Sequence, residues 1–149
     1  MVVFAARWTV KGRKPDGSDC TTIFDLTPNR RWLVVYPAAV DDYSMTLDLD
    51  AVRMFLSIVE CRNAGAVPGV HPAHGKRLLS IAPYQGLVEP PWTDRPANAP
   101  PYLGPIALSV RLPGGREIHI VYRTDRYQAL VDTLTEIVVC LEGSKTVVR

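Results

Sequence analysis

This sequence has little net charge, few cysteines and no long apolar run. Lysine and arginine number 17 against 15 aspartates and glutamates, a formal net charge of +2, which gives no electrostatic argument for a nucleic-acid or membrane-surface partner. Three cysteines are too few, and odd in number, for a disulfide framework. No apolar run reaches the length of about 18 residues that a membrane span requires.

The cellular compartment is predicted from the missing disulfide framework, membrane span and signal peptide. Residues 1–10 alternate like a strand and carry no basic leader region, so we expect no signal peptide. The sequence therefore predicts a soluble protein in a reducing, cytoplasmic setting. Residue usage rich in alanine, arginine, proline and valine and poor in lysine is typical of high-GC bacteria and their phages.

The remaining composition is that of a folded domain. Apolar residues make up 47% of the 149 positions and charged residues 21%, which excludes intrinsic disorder. A chain of this length is close to the commonest domain size, so we expect one domain over residues 1–149. Such a domain buries enough surface to fold without metal ions or disulfides.

Two periodicities divide the chain. Apolar residues alternate in segments that predict strands, at residues 2–10, 20–26, 32–36, 78–82, 106–112 and 118–122. Helical spacing of apolar residues predicts helices over residues 48–63 and 124–143, the second ended by Gly143. Residues 145–149 are expected to add an edge strand, and the rest of residues 66–105 is expected to be irregular.

The order of these elements, β-β-β-α-β-β-β-α, predicts an α+β fold. We expect a mainly antiparallel sheet of about six strands, with two helices packed on one face and a long proline-rich loop. Trp32 is expected in the core, as are Cys61 and Cys140, which fall in apolar helical patterns. Two helices cannot cover both faces of such a sheet, so the second face is expected to be wet or bound to a partner. Alternation places on it Arg7, Thr9, Lys11, Arg111, His119 and Arg123.

Proline is concentrated in one place. Seven of the 13 prolines fall within residues 83–105, and residues 89–105 form a loop that also carries Trp92, Asp94, Arg95 and Tyr102. A structureless connection of this length inside a domain is typically functional or disordered. Tryptophan, tyrosine and arginine anchor protein interfaces. Two interpretations stay open, an arm that docks a partner and a segment that wraps its own domain.

Metal and phosphate motifs are incomplete. Cys61, His71 and His74 are the metal-ligand candidates, but their spacing matches no standard zinc site and no fourth ligand stands nearby. The glycine-rich stretch at residues 69–77 has the wrong spacing for a phosphate-binding loop, lacks the hydroxyl after the lysine and precedes a strand. We therefore predict no metal and no cofactor.

Catalytic and nucleic-acid sites have weak sequence support. Cys20 lies near basic residues but has no histidine close in sequence, so an enzyme would need Cys20, His119 and carboxylates that are distant along the chain. Basic contacts to nucleic acid would come from Arg7, Lys11, Arg30 and Arg31, yet no RNA- or DNA-binding signature accompanies them.

The function that these patterns favour is a non-enzymatic protein-binding module. Adaptors, immunity-type proteins and phage accessory or structural proteins have this size. The expected partner is another protein or a second copy of the chain, docked through residues 89–105 or an exposed sheet face. A nucleic-acid-binding domain is the first alternative, and a small enzyme whose site the sequence does not show is the second.

Overall fold

The structure, a computed structural model, describes residues 5–83, 105–112 and 115–146. Four strands come first: β1 (Ala6–Arg13), β2 (Asp19–Leu26), β3 (Leu33–Tyr36) and β4 (Met45–Leu47). Helix α1 (Leu49–Cys61) follows them, and then four more strands: β5 (Gly65–His71), β6 (Gly75–Pro83), β7 (Ile106–Arg111) and β8 (Glu117–Tyr122). Helix α2 (Thr124–Thr146) ends the described chain. Four strands and a helix therefore occur twice in succession.

The eight strands form one closed antiparallel barrel in sequence order, with β8 returning to β1. The predicted α+β class, the antiparallel pairing and the two helices are confirmed. The expected number of about six strands is wrong. Closure makes the second face of the sheet the outer surface of the barrel, because the other side of the wall is the core. The outward residues expected by alternation are exposed, except that His119 is half-buried.

Two strands account for the wrong count. Strand β4 has only three residues, Met45–Leu47, and β5 falls in the region expected to be irregular. Strand β5 pairs with β6 along its whole length, from Gly65 opposite Ile81 to His71 opposite Gly75. Its sequence contains Pro68 and two glycines, which are rare inside strands.

Both helices form where expected, but their ends differ from the prediction. The Asp48 carboxylate accepts the backbone N–H of Ala51 at 2.8 Å and caps the start of α1. Helix α1 ends at Cys61, two residues before the predicted end, and Arg62 follows it in a left-handed conformation with φ of 52°. Helix α2 continues through Gly143 to Thr146, so the predicted stop and the strand at residues 145–146 are wrong. None of the helices described is long and apolar enough to cross a membrane.

The helices belong to the same core as the barrel interior. The Phe55 ring of α1 lies 6.5 Å from the ring of Phe24, which faces inward from β2. A helix reaches an inward side chain only through the open end of a barrel, so α1 covers that opening. Helix α2 packs on α1, and the Tyr127 hydroxyl donates to the Val59 carbonyl at 2.9 Å.

The barrel wall has two weak joints, which we call seams. Strands β4 and β5 pair only at Thr46 and Val70, and β1 and β8 only at Arg13 and Val121. A buried inward glycine lies at each seam: a Cβ on Gly69 would approach the Met45 Sδ to 2.8 Å, and one on Gly12 would approach the Ile120 Cγ2 to 2.8 Å. Side chains of the neighbouring strands therefore fill the space beside both glycines, and at Gly12 the Val121 backbone is also close.

Candidate functional site

A groove of about 910 Å³ lies over the β4–β5 seam on the outer surface of the barrel. Strand register explains why its lining residues share one face. Val70 pairs with Thr46 on one side and with Lys76 on the other, and Pro68 pairs with Leu78. Side chains two residues apart on a strand point to the same side. These five residues therefore form two adjacent rows across the seam.

Apolar side chains dominate the exposed part of this groove. Trp32 is 44% exposed, Val70 49% and Leu78 58%, and all three line the groove. Only two other large apolar residues of the described chain are comparably exposed, Met54 on α1 and Val139 on α2. Clustered exposed apolar groups mark interaction sites, whereas single ones need no explanation. The groove therefore gathers exposed apolar surface, whose contact with water is unfavourable.

Basic groups border the apolar surface. Lys76 and Arg111 are exposed and line the groove. The one carboxylate in the lining, Asp48, is already engaged in capping α1. Arg111 has Glu117 as a neighbour at 3.9 Å, a distant exposed pair that contributes little. The border is therefore suited to carboxylates on a bound molecule.

Arg77 adds a buried positive charge to the groove lining. Its guanidinium donates to the backbone carbonyls of Asp42 and Ser44, the latter at 3.0 Å, and so ties the turn before β4 to β6. Its Nε has no hydrogen-bond partner among the described residues. Burial lowers the pKa of Arg77. The groove wall therefore rests on a cation that is fixed in place by the backbone.

Of the side chains proposed for nucleic-acid contact, Arg7 is held in an ion pair and lies apart from Lys11 on β1. The guanidinium of Arg7 donates to both carboxylate oxygens of Asp25, at 2.7 and 2.8 Å. This hydrogen-bonded pairing raises the pKa of Arg7, and it neutralises a carboxylate whose side chain is fully buried. Lys11 lies four residues along β1, about 13 Å away. Arg30 and Arg31 lie in the turn between β2 and β3.

The proline-rich residues lie outside the part of the chain that the structure describes. Trp92, Asp94, Arg95 and Tyr102 belong to residues 89–105, which end at Pro105 just before β7. The alternatives of an arm and a wrapping segment therefore stay predictions.

The metal-ligand candidates have other roles. The Nδ1 of His71 accepts the backbone N–H groups of Ala73 and His74, at 3.0 and 3.1 Å, so it holds the turn between β5 and β6. The two histidine rings stack with centroids 4.6 Å apart. Cys61 is exposed at the end of α1, which makes its expected burial wrong. Within the described ranges no three His, Cys, Asp or Glu side chains form a group that could hold a metal ion.

One hydrogen-bonded chain resembles a nucleophile relay. The Ser109 Oγ lies 2.6 Å from the Nδ1 of His119, whose Nε2 lies 2.6 Å from the Glu117 carboxylate. Ser109 and His119 are directly opposite on β7 and β8, and Glu117 is two residues from His119 on the same face. Ordinary cross-strand pairing therefore explains the contacts. Neither the groove nor the second concavity described below includes any of these three side chains.

Cys20 is separated from this chain by the barrel wall. It pairs with Gly12, which faces inward, whereas His119 faces outward. Burial raises the pKa of the Cys20 thiol, so its reactive thiolate is disfavoured. The structure thus does not bring Cys20 and His119 together.

The sequence pattern did not reveal the groove. Trp32, expected in the core, is exposed in the turn before β3, so that expectation is wrong. The pattern singles out neither Val70, which falls within residues 66–77 that are expected to be irregular, nor Leu78, which begins the predicted strand at residues 78–82. The available signal was the alternation of Val67, Gly69 and His71, which the structure buries, with the exposed Pro68 and Val70.

Comparisons with protein-family models, with curated proteins and with solved structures find no match.

Proposed function

We propose that this chain is a non-enzymatic protein-binding module, and that its docking surface is the groove over the β4–β5 seam. The observation that carries the proposal is the clustering of Trp32, Val70 and Leu78, each about half exposed, in one groove. Tryptophan is among the side chains that most often dominate interface energetics. The partner is a protein surface that inserts apolar side chains.

The basic border specifies the partner further. Lys76 and Arg111 flank the apolar rows. A partner that places carboxylates beside its apolar side chains is complementary to this arrangement, which favours its approach and orientation. The proposed partner segment is therefore apolar and acidic.

An enzymatic role has less support. The Ser109–His119–Glu117 chain is the only relay that the described residues suggest, and it lies outside both concavities. A nucleophile acts on a substrate held against it, and a pocket normally supplies that placement. Cys20 lines the second concavity, but burial raises its thiol pKa and none of the described histidines lines that space. A binding role therefore accounts for the groove and requires no catalytic group in it.

The experiment compares groove variants with matched surface variants. Complete burial of a leucine contributes about 1.5–3 kcal/mol, so the 58% of Leu78 that is exposed is worth about 1–2 kcal/mol. Proteins retained by the immobilised chain are identified by mass spectrometry, and a purified partner is then titrated. We expect Leu78→Ser to weaken its Kd about 5- to 30-fold, and Trp32→Ala to weaken it similarly.

The matched controls are Met54→Ser and Val139→Ser. Both residues are exposed and apolar, at 46% and 62%, but lie on the helices away from the groove. We expect both controls to keep the Kd of the wild type and all four variants to keep its thermal midpoint, since exposed substitutions change stability little. A partner whose Kd is insensitive to Leu78→Ser and Trp32→Ala contradicts the proposal.

The proline-rich segment is a second part of the same proposal. Trp92, Asp94, Arg95 and Tyr102 are proposed to extend the docking surface. The double variant Trp92→Ala with Tyr102→Ala is expected to weaken binding of the same partner while the thermal midpoint stays unchanged. A large fall in the midpoint with binding retained identifies a segment that wraps its own domain and removes this part of the proposal.

A further inference from the structure

The second seam carries a concavity of a different character. It measures about 320 Å³ and lies where β1 meets β8, on the opposite side of the barrel from the groove. Arg13 and Val121, the single residue pair that joins these strands, are both part of its lining. Each of the two concavities thus lies where neighbouring strands pair at one position only.

Four basic side chains line this concavity, which we call the basic pocket. Lys11 and Arg13 come from β1, Arg123 follows β8, and Arg126 lies in the first turn of α2. The β1 pair and the Arg123–Arg126 pair are far apart in sequence, so only the closure of the barrel brings the two pairs together. Asp19 is the one carboxylate in this lining, and it lies 3.8 Å from Arg13. The lining therefore carries four positive charges against one negative charge.

Such a charge distribution favours an anion. Like charges gathered around a concavity repel one another, and the field they produce is focused into the space between them. Helix α2 begins at Thr124, between two of the arginines, so the positive end of its dipole adds to the same field. An anion in the pocket is attracted by this field and relieves part of the repulsion.

The residue types select a phosphoryl group. Arginine presents a planar fork of donors that matches phosphate oxygens in pairs, and lysine adds a compact point charge. Three arginines and one lysine provide more donors than a single carboxylate can accept. The volume is at the low end of the range for ligand sites, which suits one phosphoryl group with a small attachment.

We propose that the basic pocket is a binding site for a phosphoryl group. This site is independent of the groove, because it lies on the opposite seam and uses none of the groove residues. The phosphoryl group belongs either to a small soluble phosphate compound or to the backbone of single-stranded nucleic acid. Both sources present the same chemistry to Lys11, Arg13, Arg123 and Arg126.

The test uses pyrophosphate as the probe and the full chain as the protein. Titration calorimetry at low salt is expected to detect binding, and Arg123→Ala and Lys11→Ala are each expected to weaken the Kd about tenfold. Log Kd is expected to change steeply with salt concentration. Thermal midpoints are measured for every variant, and Lys11→Gln and Arg123→Lys provide milder substitutions should either alanine variant lose stability.

The matched controls are Arg30→Ala and Arg31→Ala. They remove the same charge from an exposed turn that does not line the pocket, so they are expected to leave the Kd of pyrophosphate unchanged. No binding of pyrophosphate at low salt overturns the proposal. Equal weakening by Arg30→Ala and Arg123→Ala also overturns it, because net charge would then explain the binding.

A second titration identifies the source of the phosphoryl group. The probe is a single-stranded thymidine oligonucleotide. A nucleic-acid backbone is supported if the oligonucleotide binds more tightly than pyrophosphate and competes with it. Its binding must also be weakened by Arg123→Ala but not by Arg30→Ala. Pyrophosphate binding with the same dependence on Arg123, and no competition by the oligonucleotide, supports a small phosphate compound. Oligonucleotide binding that is indifferent to Arg123→Ala overturns the pocket as its site.

Discussion

The close crossing of strands at the β1–β8 seam gives a prediction about Gly12. The substitution Gly12→Ala adds one Cβ atom, which would lie 2.8 Å from the Ile120 Cγ2 and 3.1 Å from the Val121 carbonyl oxygen. Ile120 is β-branched and stiff at χ1, and the Val121 carbonyl belongs to the backbone. Neither atom yields easily, so the strands must move apart.

The magnitude has two opposing parts. Overpacking of a buried site costs about 1–3 kcal/mol, whereas replacing glycine with alanine restricts the unfolded chain and returns about 0.4–1 kcal/mol. We expect a net loss of about 1–2 kcal/mol in the free energy of unfolding. At this chain length the thermal midpoint falls by about 2–8 °C.

Urea unfolding followed by circular dichroism measures this loss. The control is Gly143→Ala, because a Cβ on Gly143, in helix α2, meets no atom within 4 Å. Alanine there is expected to stabilise the protein by about 0.5–1 kcal/mol. If Gly12→Ala is as stable as the wild type, or more stable, the close approach of β1 and β8 at the seam is refuted.

Two further predictions concern the core and the cysteines. Phe55→Ala is expected to lower the free energy of unfolding by about 3–5 kcal/mol, because the ring is fully buried against Phe24. Urea unfolding measures this loss. A loss below about 1 kcal/mol contradicts the packing of α1 over the barrel opening. Ellman's reagent near pH 8 is expected to modify the exposed Cys61 before Cys20, whose thiol pKa is raised by burial. Peptide mass spectrometry locates the labelled cysteine. Faster labelling of Cys20 contradicts the burial of its thiol.

The sequence contains enough information to predict the elements with strong periodicity. Helix α1 follows from the spacing of Val52, Phe55 and Val59, all of which are fully buried. Hairpins β1–β2 and β7–β8 follow from alternating apolar residues around turns. These signals are local, because one amphipathic stripe or one strand face repeats within a few residues.

Strands β4 and β5 lack such a local signal. Three residues are too few to establish alternation in β4, and the proline and glycines of β5 disfavour a strand by propensity. The structure explains the exceptions. Pro68 lies at the seam, where β5 pairs with β4 at a single position. Gly69 faces inward, where the Met45 and Leu47 side chains of β4 occupy the space that a Cβ would need.

The candidate sites depend on closure, which no local pattern encodes. The groove joins Trp32 to Leu78, and the basic pocket joins Lys11 to Arg123, in each case across a seam. Each seam is held by one residue pair, so periodicity along a strand does not reveal which strands meet there. The predicted exposed face nevertheless contained Lys11, Arg111 and Arg123, because alternation alone determines which side chains point outward.

Site-specific photo-crosslinking tests the central claim most directly. A photoreactive benzophenone amino acid replaces Leu78 in the groove in one variant and Val139 on α2 in another, and both are irradiated in the native host. The two positions are similarly exposed and apolar. The account predicts a covalent adduct with one defined polypeptide from position 78 and none from position 139. No adduct from position 78, or the same adducts from both positions, contradicts the groove as the docking surface.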